Sequence, residues 1–355
     1  MESDSRQDRK DPFARIRRKR FLLLSALILL LLVAGFICTM IGEIGPIGGI
    51  ADGEQISFND AFDILLGGSH QYSGIIWNIR IPRVLLAGFI GAGLAAAGMA
   101  MQAVFRNSMA DPFIIGVSSG AAVGAAAVSM FGLTGLFLTF TQPILAFIGA
   151  IITVFVVYKM GTSKGHVYVD TLLLSGVAIA SFLGAVTSFM IYVNQQQFHQ
   201  LSHRLLGSLQ STTWTEVGVT ALPIIAGVCV IYYYGRDLNV LLLGEEAEHN
   251  LGGNPEFLKK LMLAVAAIMT SVAVAFAGII GFVGLMVPHM MRLIVGADHR
   301  MLAPASVLGG AIFLILADAL SRSFIELPVG VITALFGGPF FLFLLRRRKL
   351  RGEAG

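Results

Sequence analysis

Residues 21 to 41 read FLLLSALILLLLVAGFICTMI and contain no charged side chain. A helix needs about 20 consecutive apolar residues to cross the hydrocarbon core of a bilayer, so this run is long enough to span one. The 355-residue chain is 56% hydrophobic and 13% charged, whereas an ordinary soluble domain is roughly 25% charged. The composition therefore predicts an all-α protein that crosses a membrane many times.

A secretory signal peptide is the alternative interpretation of the first run, because eight Lys and Arg residues precede Phe21. The run is longer than the roughly 7 to 15 apolar residues of a signal peptide, and no A-x-A-like cleavage site closes it.

Further charge-free runs bring the predicted spans to ten. They lie near residues 21–41, 84–105, 112–131, 140–158, 171–193, 217–234, 261–280, 282–295, 302–321 and 328–345.

The basic residues indicate the direction of these spans, because Lys and Arg concentrate in short cytoplasmic loops. If both ends are inside, 21 of the 25 basic residues lie on the inner side. The four on the outer side are Arg80, Arg83, Arg204 and Arg322. Both termini are therefore predicted to be cytoplasmic. Two halves of five spans would then have opposite orientations, a construction typical of transporters.

This topology predicts a basic N-terminal extension (1–20), a transmembrane domain (21–345) and a basic tail (346–355). Within the domain, residues 194–213 form an outer segment and residues 236–260 form the longest inner loop. That loop contains apolar residues beside three glutamates and is broken by glycine and proline, which predicts short amphipathic helices able to contact a soluble partner. A solvated connector is the alternative.

Motifs for catalysis, metal binding and ATP binding are absent from the sequence. Cys38 and Cys229 lie in apolar runs, so no disulfide framework or CxxC site is predicted. The chain has no HExxH or GxSxG, and it lacks GxxxxGK[ST], so any ATP would have to bind to another chain. His199 and His203 are four residues apart and could ligate a metal or haem iron, although the polar face of an interfacial helix is the alternative.

Charged residues are scarce at membrane depth, which argues against an ion-coupled secondary transporter. The exception is Asp318, which is expected to pair with Arg322 one helical turn later. Arg80 and Arg83 lie at the outer edge of the second span and suggest a docking site for an acidic partner, with headgroup anchoring as the alternative. Gly116, Gly120 and Gly124 recur at four-residue spacing, which favours helix packing over a permeation surface.

Several stretches resemble the FecCD-type permeases of binding-protein-dependent ABC importers, and the resemblance extends from about Ser57 to Lys349. The similar stretches are RIPR (80–83), GMAMQ (98–102), RNSMADP (106–112), IGVS (115–118), LGEEA (243–247), GFVGLMVPH (281–289) and ELPVG (326–330). Ser108 departs from the family pattern, which has proline there. The motif residues that match are Gln102, Arg106, Asn107, Asp111, Pro112, Pro288, His289 and Arg292.

The resemblance implies a homodimer of ten-helix subunits in the lipid of the inner membrane, without a role for nucleic acid. It implies two ATPase subunits, which would hold ATP and Mg²⁺, and a periplasmic binding protein that delivers a ferric siderophore, cobalamin or haem. Arg80, Arg83 and Arg322 match the arginines that dock the binding protein. The loop that matches the ATPase-coupling helices contains Gly244, Glu245, Glu246, Ala247, Leu251 and Gly252. The cargo itself stays open.

Overall fold

The computed structural model describes a helical protein with one small hairpin. Its described residues are 12–40, 62–64, 67–68, 72–133, 140–193, 205–210, 212–244, 253–323 and 327–352. The helices are α1 (Pro12–Met40), α2 (Ile81–Val104), α3 (Val117–Met130), α4 (Thr141–Met160), α5 (Val169–Val193), α6 (Trp214–Tyr233), α7 (Gly235–Leu241), α8 (Pro255–Ala277), α9 (Val283–Val295), α10 (His299–Ser323) and α11 (Val329–Gly352). The hairpin pairs β1 (Thr162–Ser163) with β2 (His166–Val167), antiparallel. The all-α prediction is confirmed.

A helix lies at each of the ten predicted spans in the described part of the chain. Seven are long and apolar enough to cross a membrane: α1, α2 with the helical segment from Ser73 to Arg80 that precedes it, α4, α5, α6, α8 and α10. The apolar parts of α3, α9 and α11 are shorter. The count of ten crossings and the cytoplasmic position of both ends stay predictions. We use "outer end" and "inner end" for the two ends of the bundle according to the predicted orientation, with α1 ending at the outer end.

The predicted start of the third span is wrong by five residues. Residues Pro112–Ile115 form a short 3₁₀ turn, and α3 begins only at Val117. Gly116 separates the two elements with a φ of 81°, a conformation that glycine adopts without a steric penalty. The apolar run continues through this point, so hydropathy alone could not detect the break.

Helix α2 forms the centre of the bundle. It packs against α6, α8, α9 and α10, and nearly all of its residues are buried. Its sequence from Leu85 to Met101 is apolar on all sides and contains many Gly and Ala residues, which is typical of a helix surrounded by other helices.

Glycines allow close contact between several of these helices. A Cβ atom at Gly98 of α2 would overlap the carbonyl oxygen of Gly284 in α9. Side chains at Gly120 and Gly124 of α3 would likewise collide with the backbone of α4. The helix-packing interpretation is therefore confirmed for Gly120 and Gly124, whereas Gly116 lies just before the helix.

We expect Gly98→Ala to destabilise the protein, because its methyl group would force α2 and α9 apart. Overpacking of this kind costs about 1–3 kcal/mol. Gly184→Ala is the matched control, since a Cβ atom at Gly184 of α5 meets no atom within 4 Å. Thermal unfolding in detergent micelles measures both variants. Equal melting temperatures for Gly98→Ala and the wild type would contradict the close contact.

Candidate functional site

A buried ion-pair cluster lies at the outer end of α2 and α10. Arg83 Nε donates to both carboxylate oxygens of Asp318, at 3.0 Å and 3.1 Å. The Nη2 atom of Arg83 lies 2.9 Å from Asp318 Oδ1, and Arg322 Nε lies 3.2 Å from Asp318 Oδ2. The predicted pairing of Asp318 with Arg322 is confirmed, and Arg83 is an additional partner. Asp318 is only 1% exposed, so these contacts neutralise a carboxylate away from water.

The same cluster holds the C-terminal end of α1. Arg80 Nη1 donates to the carbonyl oxygens of Thr39 and Met40, each at 3.0 Å. Arg322 Nη2 donates to the carbonyl of Cys38 at 2.8 Å. The last carbonyls of a helix have no partner within the helix and carry a partial negative charge. The two guanidinium groups therefore supply both hydrogen bonds and charge to the end of α1.

The contacts of Arg80 and Arg83 help to distinguish docking of an acidic partner from anchoring to lipid headgroups. Arg80 and Arg83 are 5% and 7% exposed, and their hydrogen bonds point into the protein. In this conformation neither side chain extends to the lipid headgroups, so their buried contacts do not support headgroup anchoring. The docking of an acidic partner at Arg80, Arg83 and Arg322 stays a prediction.

Gln102 connects α2 to α9 at a point where α9 lacks a backbone hydrogen bond. Pro288 has no N–H group, so the carbonyl of Gly284 loses its usual partner four residues later. Gln102 Nε2 lies 3.4 Å from this oxygen and donates to the carbonyl of Leu285 at 3.1 Å. The motif residues Gln102 and Pro288 are therefore linked, because the Gln102 amide supplies hydrogen bonds at the place where Pro288 removes one.

Residues 106 to 112 form the compact turn that connects α2 to the 3₁₀ turn before α3. Asn107 Oδ1 accepts a hydrogen bond from the Met109 N–H group, and Asp111 Oδ1 accepts one from Phe113 N–H at 2.8 Å. Arg106 has a positive φ of 48°, which is uncommon outside glycine. Burial raises the pKa of the Asp111 carboxyl to about 6, although its backbone hydrogen bond opposes this. These side-chain to backbone hydrogen bonds are typical of turns and account for Asn107 and Asp111 at these positions.

His289 and Arg292 lie further along α9. The His289 ring contacts Phe340 of α11, with the ring centroids 6.3 Å apart. His289 Nδ1 and Arg292 Nε are buried and have no hydrogen-bond partner within the described ranges.

A polar network at the inner end joins three distant segments. Asn239 of α7 donates through Nδ2 to Asp298 Oδ1 at 2.9 Å. Its Oδ1 accepts the His299 N–H group at 2.8 Å and lies 2.8 Å from His299 Nδ1. Arg20 of α1 forms an ion pair with Asp298 at 3.1 Å. Helix α7, the start of the predicted coupling loop, is therefore linked to α10 and α1.

The pKa of Asp298 reflects these contacts. Partial burial by itself would raise this pKa. The hydrogen bonds from Asn239 and the Arg300 backbone, with the positive charges of Arg20 and Arg300, outweigh burial and lower the pKa below its usual value. Asp298 is therefore an anion at neutral pH, which keeps its pairing with Arg20 in place.

Glu256 makes a second inner-end connection at the start of α8. Its Oε2 accepts the Val167 N–H group of β2 at 2.9 Å, and its Oε1 lies 2.9 Å from Lys259 Nζ. Lys259 is only 3% exposed. The hairpin between α4 and α5 is thereby joined to the helix that follows the predicted coupling loop.

Several predicted residues lie outside the described ranges. Gly244 is described and has a φ of 122°, which suits glycine. The other predicted coupling residues, Glu245, Glu246, Ala247, Leu251 and Gly252, lie outside, as do His199 and His203. Sequence reasoning missed the roles of Asn239, Glu256 and Asp298, because partners 59 or 89 residues apart leave no local pattern.

We expect Asp318→Asn to destabilise the protein strongly, since it leaves two buried guanidinium groups without a carboxylate. Removing one partner of a buried ion pair costs about 3–5 kcal/mol. Asp170→Asn, at an exposed position in the first turn of α5, is the control and should change stability by about 0.5 kcal/mol or less. Thermal unfolding in detergent provides the measurement. A small effect at Asp318 would mean that the cluster contributes little to the fold.

Comparison with known proteins identifies the family of this chain. The sequence model of the FecCD transport family matches residues 30–347. The cobalamin import system permease protein BtuC of Halobacterium salinarum is 49% identical over 278 residues, covering 78% of this chain and 74% of the relative. The hemin transport system permease protein HmuU of Yersinia pestis is 42% identical over 282 residues, covering 77% of this chain and 84% of the relative.

A solved structure supports the same assignment. It is an ABC transporter described as of metal-chelate type, in an inward-facing conformation. It matches this chain with a TM-score of 0.78 and 28% identity, covering 92% of this chain and 99% of the solved chain. The resemblance drawn from the sequence motifs is confirmed. The chain therefore belongs to the FecCD transport family and is a multi-pass membrane permease.

Proposed function

We propose that this permease imports a metal chelate, namely cobalamin, haem or a ferric siderophore, as the transmembrane subunit of an ABC importer. The observation that carries the proposal is the FecCD match across residues 30–347, together with relatives named for cobalamin and hemin transport. The protein would act in the inner membrane as a homodimer of ten-span subunits. Both ends of each subunit would be cytoplasmic.

Energy would come from other chains. Two ATPase subunits would bind ATP and Mg²⁺, and this chain would supply no catalytic residue, cofactor or metal ligand. A binding protein would deliver the chelate to the outer end, and no nucleic acid would take part. ATP-driven closure of the ATPase pair would displace the loop at 236–260 and switch the helices between outward-open and inward-open states.

The inner network gives this loop a mechanical connection to the helices. Asn239 holds α7 against the start of α10 through Asp298 and His299. Glu256 holds the other end of the loop against the β1–β2 hairpin. A displacement of the loop would therefore be passed to α10, α5 and α4 instead of being absorbed by a free connector.

An ion-coupled secondary transporter is not favoured. Such a transporter needs an ionisable group along its path that gains and loses an ion. Asp318, the acidic residue buried at the outer end of α10, is paired with Arg83 and Arg322. Both of its carboxylate oxygens contact these two arginines, so this residue forms a structural ion pair and offers no open ion-binding group along a path.

The docking prediction requires a variant that keeps the buried ion pair. Arg83→Glu combined with Asp318→Arg exchanges the two charges and keeps the net charge of the cluster, with its single carboxylate, now at position 83, shared by the new arginine and Arg322. Arg80→Gln removes one positive charge without introducing a negative one. If acidic side chains of the binding protein pair with these arginines, each loss is expected to weaken docking by about 2 kcal/mol or more, or roughly 30-fold.

Stimulation of ATP hydrolysis by the binding protein in liposomes measures this effect. Lys164→Glu, in the turn of the hairpin at the inner end, is the control for a change of charge elsewhere. Stimulation should be lost in the outer-end variants and kept in Lys164→Glu. If the folded charge-exchange variant responds to the binding protein as the wild type does, Arg83 has no docking role.

The coupling prediction concerns Asn239. We expect Asn239→Ala to leave ATP hydrolysis in place but to reduce the chelate imported per ATP, because α7 would no longer be held to Asp298 and His299. Asp237→Asn is the matched control, being an isosteric change at an exposed position of the same helix. Parallel assays of hydrolysis and uptake in liposomes give the ratio. An unchanged ratio in Asn239→Ala would remove the network from the coupling path.

A further inference from the structure

A deep apolar groove runs along the outer half of the bundle between α1 and α6. Helix α1 forms one wall from Leu31 to Thr39, and α6 forms the other. Helices α2 and α10 form the floor, and the groove encloses about 640 Å³. We call this feature the α1–α6 groove. No position in it coincides with the predicted docking or coupling residues.

The groove is deeper than the ordinary spacing between side chains on a helix surface. Floor residues Val84 and Ile315 are at most 6% exposed, whereas Leu32 and Ile225 on the rims are 65% and 52% exposed. Gly35 creates space in the α1 wall, because a Cβ atom there would meet no atom within 4 Å. The groove is thus a recess that opens onto the outer surface of the bundle.

The cluster at the outer end of the bundle positions the α1 wall of the groove. Arg80 and Arg322 bind the last carbonyls of α1, as described above, and thereby fix the position of this wall. Below that anchor α1 packs against α10 and α2, not closely against α6. The recess therefore lies where α1, attached to α10 and α2, leaves a gap beside α6.

Water is a poor occupant of this groove. A bound water molecule needs about two to four polar partners. Thr39 supplies a hydroxyl group to the lining, but this group already donates to the Phe36 carbonyl at 2.6 Å. The rest of the lining is almost entirely hydrocarbon. Only an apolar ligand matches these walls.

The surroundings of the groove determine which apolar ligand is present. Helices α1, α2, α6 and α10 are all long and apolar enough to cross the membrane, so the exposed rims face lipid. The groove is continuous with that lipid-facing surface. Trp77 lines its outer end, and Trp214 donates from Nε1 to the Trp77 carbonyl at 2.8 Å. Tryptophan is typical of the headgroup level, where one side of the ring is apolar and the other polar.

We propose that the α1–α6 groove binds one acyl chain of an outer-leaflet phospholipid, with the headgroup near Trp77. The chain would fill the recess between α1 and α6 and contact both walls. This site differs from general lipid contact because its floor is buried and its occupant would exchange slowly. The proposal does not depend on the transported cargo or on any partner chain.

The two tryptophans of this chain provide a direct test. Trp214→Phe leaves Trp77 as the single fluorophore, at the groove itself. The protein is reconstituted in phosphatidylcholine vesicles that contain an increasing fraction of the same lipid brominated at carbons 6 and 7 of one chain, which lie closer to the headgroup level of Trp77 than mid-chain carbons do. Bromine quenches tryptophan on contact, so a groove-bound chain is expected to quench Trp77 more than random contact with bulk lipid does.

Gly35→Leu in the same background fills the groove and should remove this additional quenching. Gly218→Leu is the control, because Gly218 lies on the exposed face of α6 outside the groove and also has open space around it. If Gly35→Leu does not fold, Gly88→Leu fills the groove from the floor, where a Cβ atom would make an ordinary 3.4 Å contact with Ile315. Native mass spectrometry should find one retained phospholipid per subunit in the wild type and none in the filled variants.

Two results would overturn the proposal. One is equal quenching of Trp77 with and without a leucine in the groove. The other is a filled variant that changes from dimer to monomer with its quenching unchanged, because the groove would then hold a second copy of the chain. Loss of quenching and of the retained lipid in both filled variants, but not in Gly218→Leu, supports acyl-chain binding.

Discussion

The structure depends on the pairing of Asp318 with Arg83 and Arg322. A lone carboxylate buried at this depth would be strongly unfavourable, and so would either guanidinium. Together they form one electrostatic unit that connects the start of α2 to the end of α10. The remaining hydrogen bonds of this unit go to α1, so three helices that are far apart in sequence share a single attachment point.

The same constraint acts on the backbone. Inside a membrane, every backbone group needs a partner within the protein. Pro288 deprives the Gly284 carbonyl of its usual partner, and the Gln102 amide lies close enough to compensate. That contact requires α2 and α9 to approach closely, which Gly98 makes feasible. A proline, a glutamine and a glycine on different helices are therefore interdependent.

The membrane class, the all-α fold and the family were predictable from residues alone, because long apolar runs and specific motifs are local signals. The pairing of Asp318 with Arg322 was predictable for the same reason, since both lie on one helical face. Arg83 as a further partner of Asp318 was not, because 235 residues separate them. The break at Gly116 was also hidden, since glycine interrupts the helix geometry without interrupting hydropathy. The contacts of Asn239 and Glu256 depend on tertiary geometry that no sequence spacing reports.

The attachment of α1 has a consequence for biosynthesis. Cys38, whose carbonyl accepts a hydrogen bond from Arg322, is made 284 residues before that arginine. At a synthesis rate of about 5–20 residues per second, the first helix waits roughly 15–60 s for this partner. During that interval α1 is held in the bilayer by its own hydrophobicity and basic flank. The completed ion-pair cluster therefore acts as a late closing step, so the ribosome has made nearly the whole bundle before its first helix is locked in place.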